Sequence, residues 1–345
     1  MFLEALRRAA FLTGFVLSLA STSAFAEIRP ADCSRAAKYS ESKGGTSLLV
    51  IQNGNTVFEH YANGGQRDGR WPIFSGTKSF WGIAALCAVR DGLISLDDHV
   101  ATTIAEWKND PRKSRITVRQ LLNFTDGLDG APHLHRASIP NRNAMAIRVP
   151  AVAEPGTQFI YGPSHLQVFS ELLRRKLNGR STIAYLQENV LAPLGLSGLE
   201  FKPDRHGNPL PASGFELSAH EWARLGQLVL GHGRYQGRQI VPTNIFQQAL
   251  EGSTPNPAYG LTFWLNREAP GTPEADMEKE IDRPWQQARW NRACFSKAAP
   301  ADMVVGLGSG YQRLFIVPSL NAVIVRQGRN ARFDDARFLR LAMGR

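Results

Sequence analysis

The sequence predicts an α+β fold, with one antiparallel sheet built from both chain ends and a large helical insertion between them. Three observations carry that prediction. Near the start, TSLLVIQNGNTVFEHYANG (46–64) is two β-rich runs around Asn53-Gly54, a dipeptide suited to a two-residue hairpin turn. Near the end, YQRLFIVPSLNAVIVRQG (311–328) repeats the pattern around Pro318–Asn321. Between these ends the apolar spacing is mostly helical.

Taken in order, residues 1–26 read as an export leader. Arg7 and Arg8 precede the apolar run AAFLTGFVLSLA, and Ala24-Phe25-Ala26 offers a small-residue cleavage site before Glu27. The run is short for a membrane span, and Cys33 lacks the Leu and small residues that precede a lipid-anchored cysteine. The expected product is a periplasmic domain, residues 27–345, with no stable membrane insertion. Its sheet part is expected at about 40–70 and 255–345, its helical part at about 71–254. Helices are predicted over 75–90, 117–124, 164–177, 181–191, 218–230 and 242–250, and over the tail RFDDARFLRLAM. Asp91-Gly92 closes the first of these. Ser164 and Gln167 fit a capping box, and the Pro-, Glu- and Asp-rich stretch 266–284 reads as a surface loop.

The balance of 43% hydrophobic and 20% charged residues over 345 positions is that of an ordinary globular protein. The formal charge is +10, and losing Arg7, Arg8 and Glu4 with the leader leaves +9. The Lys and Arg are scattered, with no basic run interleaved with aromatics. A solvated basic surface is expected, and no nucleic-acid partner. Cys87 falls inside an apolar run and reads as a core residue. Cys33 and Cys294 either pair as a disulfide, which export permits, or stay apart.

The chemistry begins in WPIFSGTKSFWGIAALCAV (71–89). Ser75 and Lys78, three apart, share one face of the predicted helix. The run behind them is apolar almost all round, so the lysine is taken out of water beside a positive helix N-terminus. Both effects weaken its hold on a proton. A neutral Lys78 amine can take the Ser75 proton, and the helix N–H groups suit a developing oxyanion. The competing reading is a capping serine with a lysine that snorkels to solvent. Downstream, EPGTQFIYGPSHLQVFSELLRRKL (154–177) holds Tyr161 in a Gly-Pro turn before a helix, where it either reaches a pocket or packs in the core. VVGLGSGYQRLFIVP (304–318) opens a strand with glycines, which either admit a substrate to the backbone or mark a bulge.

These motifs, in this order, resemble the serine β-lactamase and penicillin-binding superfamily, with its S-x-x-K, Y-x-N and K-T-G-type motifs. The chain is most similar to the class C-like branch that holds many esterases and the 6-aminohexanoate-oligomer hydrolases. VRQLLNFTDGL, LAPLGL, LSAHEWARLGQLVLGHGRYQGRQIVP and YGLTFWLN also resemble that family, so the likeness covers roughly residues 40–345. It implies a β-lactamase/transpeptidase-like fold. Ser75 would be the acylated nucleophile and Lys78 its base. Tyr161 would share the base role and protonate the leaving group. Gly306-Leu307-Gly308 would stand in the K-T-G place, and the N–H groups of Ser75 and Ser309 would form the oxyanion hole. Two positions depart from the pattern: Pro163 replaces the asparagine of Y-x-N, and Gly306 replaces the lysine of K-T-G. Those polar groups anchor β-lactams, so the resemblance implies an esterase more than a β-lactamase. Arg313 is the nearby cation that either substitutes for the missing anchor or points to solvent.

Other constellations carry less. His220-Glu221 opens a zinc-protease-like motif, but Arg224 stands where the second histidine belongs. His133 and His135 read as exposed, without a third metal ligand. No G-x-S-x-G elbow occurs, and GHGRYQG has the wrong spacing for a dinucleotide loop. The expectation is a secreted serine hydrolase without cofactor or metal, acting on a small ester or amide. The alternatives are a β-lactamase or D-alanyl carboxypeptidase and, in another class, a penicillin-binding-like protein that holds cell-wall peptides without hydrolysing them.

Overall fold

The computed structural model describes residues 27–267, 274–281, 294–329 and 332–345. The predicted leader, 1–26, lies outside them. A first helix, α1 (Pro30–Ser42), leads into β1 (Gly45–Gln52) and β2 (Asn55–Tyr61). Asn53 and Gly54 take φ of 53° and 79°, the two positive values that close a tight hairpin along the strand twist. After β3 (Trp71–Pro72) and a 3-10 turn (Phe74–Gly76) comes α2 (Thr77–Arg90). The insertion continues through α3 (Val118–Leu122), α4 (Arg142–Ala146), α5 (Ser164–Lys176), α6 (Thr182–Leu186), α7 (Ala219–Leu230) and α8 (Thr243–Gln247). It also carries β4 (Glu216–Leu217), which pairs with β3, and the small hairpin β5 (Arg234–Tyr235) and β6 (Arg238–Gln239). The chain returns through β7 (Trp264–Leu265), α9 (Met277–Glu280), β8 (Val304–Gly308), β9 (Gln312–Val317), β10 (Ala322–Gly328) and α10 (Asp335–Ala342).

The main sheet is antiparallel in the order β2-β1-β10-β9-β8-β7. Chain-end strands meet where β1 pairs with β10, Val50 facing Ile324. Helices α1 and α10 pack together by the sheet, and α7 packs on β9, β10 and β1. With elements over both faces, β9 and β10 are buried along their whole length, which is why they read as near-continuous apolar runs. No helix among the described residues is long and apolar enough to cross a membrane.

Several expectations change. Helix α1 precedes the region expected to be sheet; its buried residues include Cys33, Ala36, Ala37 and Ser40, too small to give a strong periodic signal. The helix over 75–90 starts at Thr77, after the 3-10 turn that holds Ser75. The helix expected over 181–191 passes from α6 into a π-helical turn (Gln187–Leu191), and that over 242–250 ends in a 3-10 turn (Gln248–Leu250). Ser164 is no cap: Pro163 is the N-cap, already at a helical φ of −81°. The Ser164 hydroxyl donates instead to the Asp129 carbonyl at 2.6 Å. The described part of 266–284 is not all surface loop, since α9 buries Met277 and ties Glu278 to the β8–β9 turn. Cys33 and Cys87 are buried free thiols, so the Cys33–Cys294 disulfide is not formed. Burial pushes the Cys33 thiol up to about 11. It serves as a small apolar filler.

Candidate active site

Ser75 sits on the 3-10 turn, directly after Phe74, whose φ of 45° is rare for a residue with a side chain. Such strain, of order 1–3 kcal/mol, persists only where the surroundings impose it. Here the Ile73 N–H donates to the Phe215 carbonyl at 3.0 Å, and β8 passes directly alongside. A Cβ on Gly308 would lie 2.0 Å from the Ile73 carbonyl oxygen. Gly308→Ala is therefore expected to push β8 off the Ser75 turn, costing about 1–3 kcal/mol of stability and most of any activity. A urea midpoint equal to the parent's would contradict that packing.

Lys78 is 2% exposed, within an α2 that is buried from Thr77 to Ala88. Its Nζ lies 2.8 Å from Ser75 Oγ and 2.8 Å from the Ala212 carbonyl. Among the described residues no carboxylate pairs with it, and burial pushes its pKa down to about 7. The Ser75 contact serves both protonation states. The ammonium donates to the hydroxyl, and the neutral amine accepts from it.

Tyr161 is half-buried, and its ring centre lies 4.9 Å from Lys78 Nζ. Two glycines place it: a Cβ on Gly162 would lie 2.2 Å from the Gly130 carbonyl oxygen, and one on Gly130 would lie 2.7 Å from that of Tyr161. The ring packs edge-on against Phe124, 5.5 Å away, and tilted against Trp264, 6.0 Å away. Phe124 in turn stacks on His165 at 4.6 Å. His165 Nδ1 lies 2.7 Å from Asp126 Oδ2, both side chains fully buried. The sequence reading missed this His–Asp prop, whose members lie 39 positions apart.

Gly306 and Gly308 lie on one face of β8 and Leu307 on the other, so Leu307 offers the site only its backbone. A Cβ on Gly306 would meet Trp222 Cζ2 at 3.7 Å, and one on Gly76 would meet the same atom at 2.6 Å. Trp222, fully buried on α7, thus fills the room beside Gly306. Nothing in the sequence pattern marked it, because it lies on an ordinary apolar helix face. Ser309 follows at the β8–β9 turn and lines a cavity of about 290 Å³ with Trp71, Pro72, Phe74, Gln312 and Arg329. Both expectations for Arg313 fail. It is fully buried beneath the turn, paired with Asp335 and Glu278, so it is neither a solvent cation nor a substrate anchor. His133 and His135 are exposed. His220 contacts Glu59, while Glu221 caps α7 with Ser218.

Comparison with known proteins bears on the fold and the family. The chain is 34% identical over 152 residues to the acyltransferase calJ of Penicillium decumbens, a match covering 36% of each chain. Matches to curated relatives span between 36% and 66% of those proteins. Among solved structures, a Bacillus anthracis protein assigned as a 6-aminohexanoate-dimer hydrolase superposes with a TM-score of 0.64 at 21% identity, over 88% of this chain and 78% of that one. EstCE1, a hydrolase with promiscuous acyltransferase activity, superposes with a TM-score of 0.64 at 15% identity, over 91% of this chain and 98% of that one. With a penicillin-binding protein homologue from Caulobacter crescentus, which superposes with a TM-score of 0.65 at 18% identity over 92% of this chain and 97% of that one, these likenesses show the β-lactamase/transpeptidase-like fold. The Beta-lactamase family model matches residues 34–325, a span that takes in Ser75, Lys78, Tyr161, β8, β9 and the first part of β10. The chain therefore belongs to the beta-lactamase family.

Proposed function

We propose that the protein is an exported esterase that works through an acyl-enzyme on Ser75. The observation that carries this is the Lys78 amine, buried without a carboxylate partner among the described residues, brought near neutrality at about 7 and set 2.8 Å from the Ser75 hydroxyl. Neutral Lys78 takes the Ser75 proton as Oγ bonds to the ester carbonyl carbon. The carbonyl oxygen takes up the charge against the N–H groups of Ser75 and Ser309. As the C–O bond to the alcohol breaks, the proton passes to the leaving oxygen from Lys78, with Tyr161 beside it. Water then repeats the sequence to free the acid. The cavity beside Phe74 and Ser309 suits the apolar part of such an ester, because Trp71, Pro72 and Phe74 wall it.

A substrate preference follows from what the site lacks. Penicillins and cephalosporins bring a carboxylate and an acylamino group that need polar partners. Trp222 fills the space by Gly306, Pro163 has no side-chain donor, and Arg313 is committed to Asp335 and Glu278. Groups desolvated without partners are costly. Activated short esters are expected to turn over at least about a hundredfold faster than a chromogenic cephalosporin, roughly 2.7 kcal/mol in barrier. Comparable kcat/KM for nitrocefin and nitrophenyl butyrate would favour the β-lactamase reading. Absence of any covalent adduct with a fluorescent phosphonate would favour a peptide-binding role.

The export half of the reading rests on Arg7, Arg8, the apolar run and Ala24-Phe25-Ala26. N-terminal sequencing of the protein from a periplasmic extract should begin at Glu27. An intact Met1 in the cytoplasmic fraction would refute it.

A further inference from the structure

The Ser309 amide is backed by a buried charge that the scheme above does not use. Arg313 is fully buried, and all five of its N–H donors are engaged. Nε donates to Asp335 Oδ1 at 2.9 Å, and Nη2 donates to Asp335 Oδ2 at 3.1 Å and Glu278 Oε2 at 3.0 Å. Nη1 donates to two backbone carbonyls, Gly308 at 3.0 Å and Gln312 at 3.1 Å. The Gly308 carbonyl and the Ser309 N–H belong to one peptide group. Described peptide bonds are all trans, and in a planar trans peptide C=O and N–H point in opposite directions. Holding the carbonyl toward Arg313 therefore turns the Ser309 N–H away from it.

The turn beyond is clamped in the same manner. Glu278 accepts from the N–H groups of Gly310 and Tyr311. Arg326, also fully buried, donates to the carbonyls of Gly310 at 3.3 Å and Tyr311 at 2.9 Å. Charged side chains thus hold backbone groups at Gly308, Gly310, Tyr311 and Gln312, on both sides of Ser309. A cation on a peptide oxygen draws electron density from its nitrogen, so the N–H becomes a stronger donor, and in a water-poor interior the effect is little screened.

We propose that Arg313 is a positioning residue for the oxyanion site, its guanidinium fixing and polarising the Gly308–Ser309 peptide so that the Ser309 N–H stabilises the acyl oxygen. The proposal rests on the Ser75 acyl-enzyme reading. Glu278 and Asp335 orient the guanidinium, and Arg313 never touches substrate. Losing an oxyanion donor outright costs about 10²–10³ in kcat, so loosening one that remains should cost roughly tenfold.

The test uses the full chain with Arg313→Lys, which keeps the charge but loses the fork, and Glu278→Ala, which leaves Asp335 to pair Arg313. Each is checked for folding by near-ultraviolet circular dichroism. A carbonyl-labelled nitrophenyl ester that acylates faster than it deacylates is the probe. Both variants are expected to lose about tenfold in kcat, with KM within about twofold of the parent's. The infrared C=O band of the acyl-enzyme should move to higher frequency, because its hydrogen bond is weaker. A folded Arg313→Lys protein with parental kcat overturns the proposal, as does a kcat loss with an unmoved band. If Arg313→Lys fails to fold, Glu278→Ala is judged by the same two criteria. A parent protein that forms no acyl band at Ser75 overturns the acyl-enzyme reading itself, and the proposal with it.

Discussion

Ser75→Ala is expected to abolish ester hydrolysis, lowering kcat on the order of 10⁴-fold or more, while the protein folds as before. Loss of a nucleophile removes the covalent path altogether, and only binding and the oxyanion donors remain to assist water. The structure limits the stability effect. Ser75 makes no side-chain cap to α2 or to its own turn, so the usual penalty for deleting a capping serine does not apply. What is lost is the 2.8 Å contact with Lys78 Nζ, which keeps the Ala212 carbonyl as its other partner. A change of about 0.5–1.5 kcal/mol is expected by urea unfolding. Two measurements decide the assignment: initial rates on nitrophenyl butyrate, and mass spectrometry after a phosphonate probe. Near-parental rates, or a probe adduct of unchanged mass on the alanine variant, would move the nucleophile elsewhere.

Much of this was legible in the sequence, where the determinants are local. Asn53-Gly54 marks its hairpin because positive φ is a property of those two residues, and the S-x-x-K spacing brings its pair together within one turn of chain. The structure places Ser75, Lys78 and Tyr161 together, as the motifs suggested. Failures occur where distant segments compete. Ser164 and Gln167 have the spacing of a capping box, yet the 124–130 loop drew the Ser164 hydroxyl to Asp129 and left Pro163 as the N-cap. Alternation along β9 shows which face Arg313 shares. It cannot show that Asp335, 22 positions later, and Glu278, 35 positions earlier, wait on that face. Trp222 is the strongest such case. Its meaning depends on Gly76 and Gly306 meeting it from two other segments, a convergence without any local signature.

Lys78→Arg is expected to be nearly as damaging as Lys78→Ala, each lowering kcat/KM at pH 8 by about a thousandfold or more. Arginine preserves the charge but does not give up its proton in a protein, whereas the proposed base must be neutral to act. The pH profile supplies the second readout. With the Lys78 pKa near 7, parental kcat/KM should rise with pH through about 7 and level off above it, and the arginine variant should lack that limb. Stability runs in the same direction for a linked reason. Between about 7 and the ordinary lysine value of 10.5 the unfolded chain binds the proton that the folded chain has released, so unfolding free energy from this group rises with pH across that window. Below about 7 both states hold the proton, and the folded protein carries the full cost of a buried ammonium. Lys78→Met removes that cost but strands the Ala212 carbonyl. It should therefore gain roughly 1–3 kcal/mol over the parent at pH 6, with the gain shrinking toward pH 10. An arginine variant with substantial activity would reduce Lys78 to a fixed charge, and a methionine variant less stable at pH 6 would show that the amine's hydrogen bonds outweigh its desolvation.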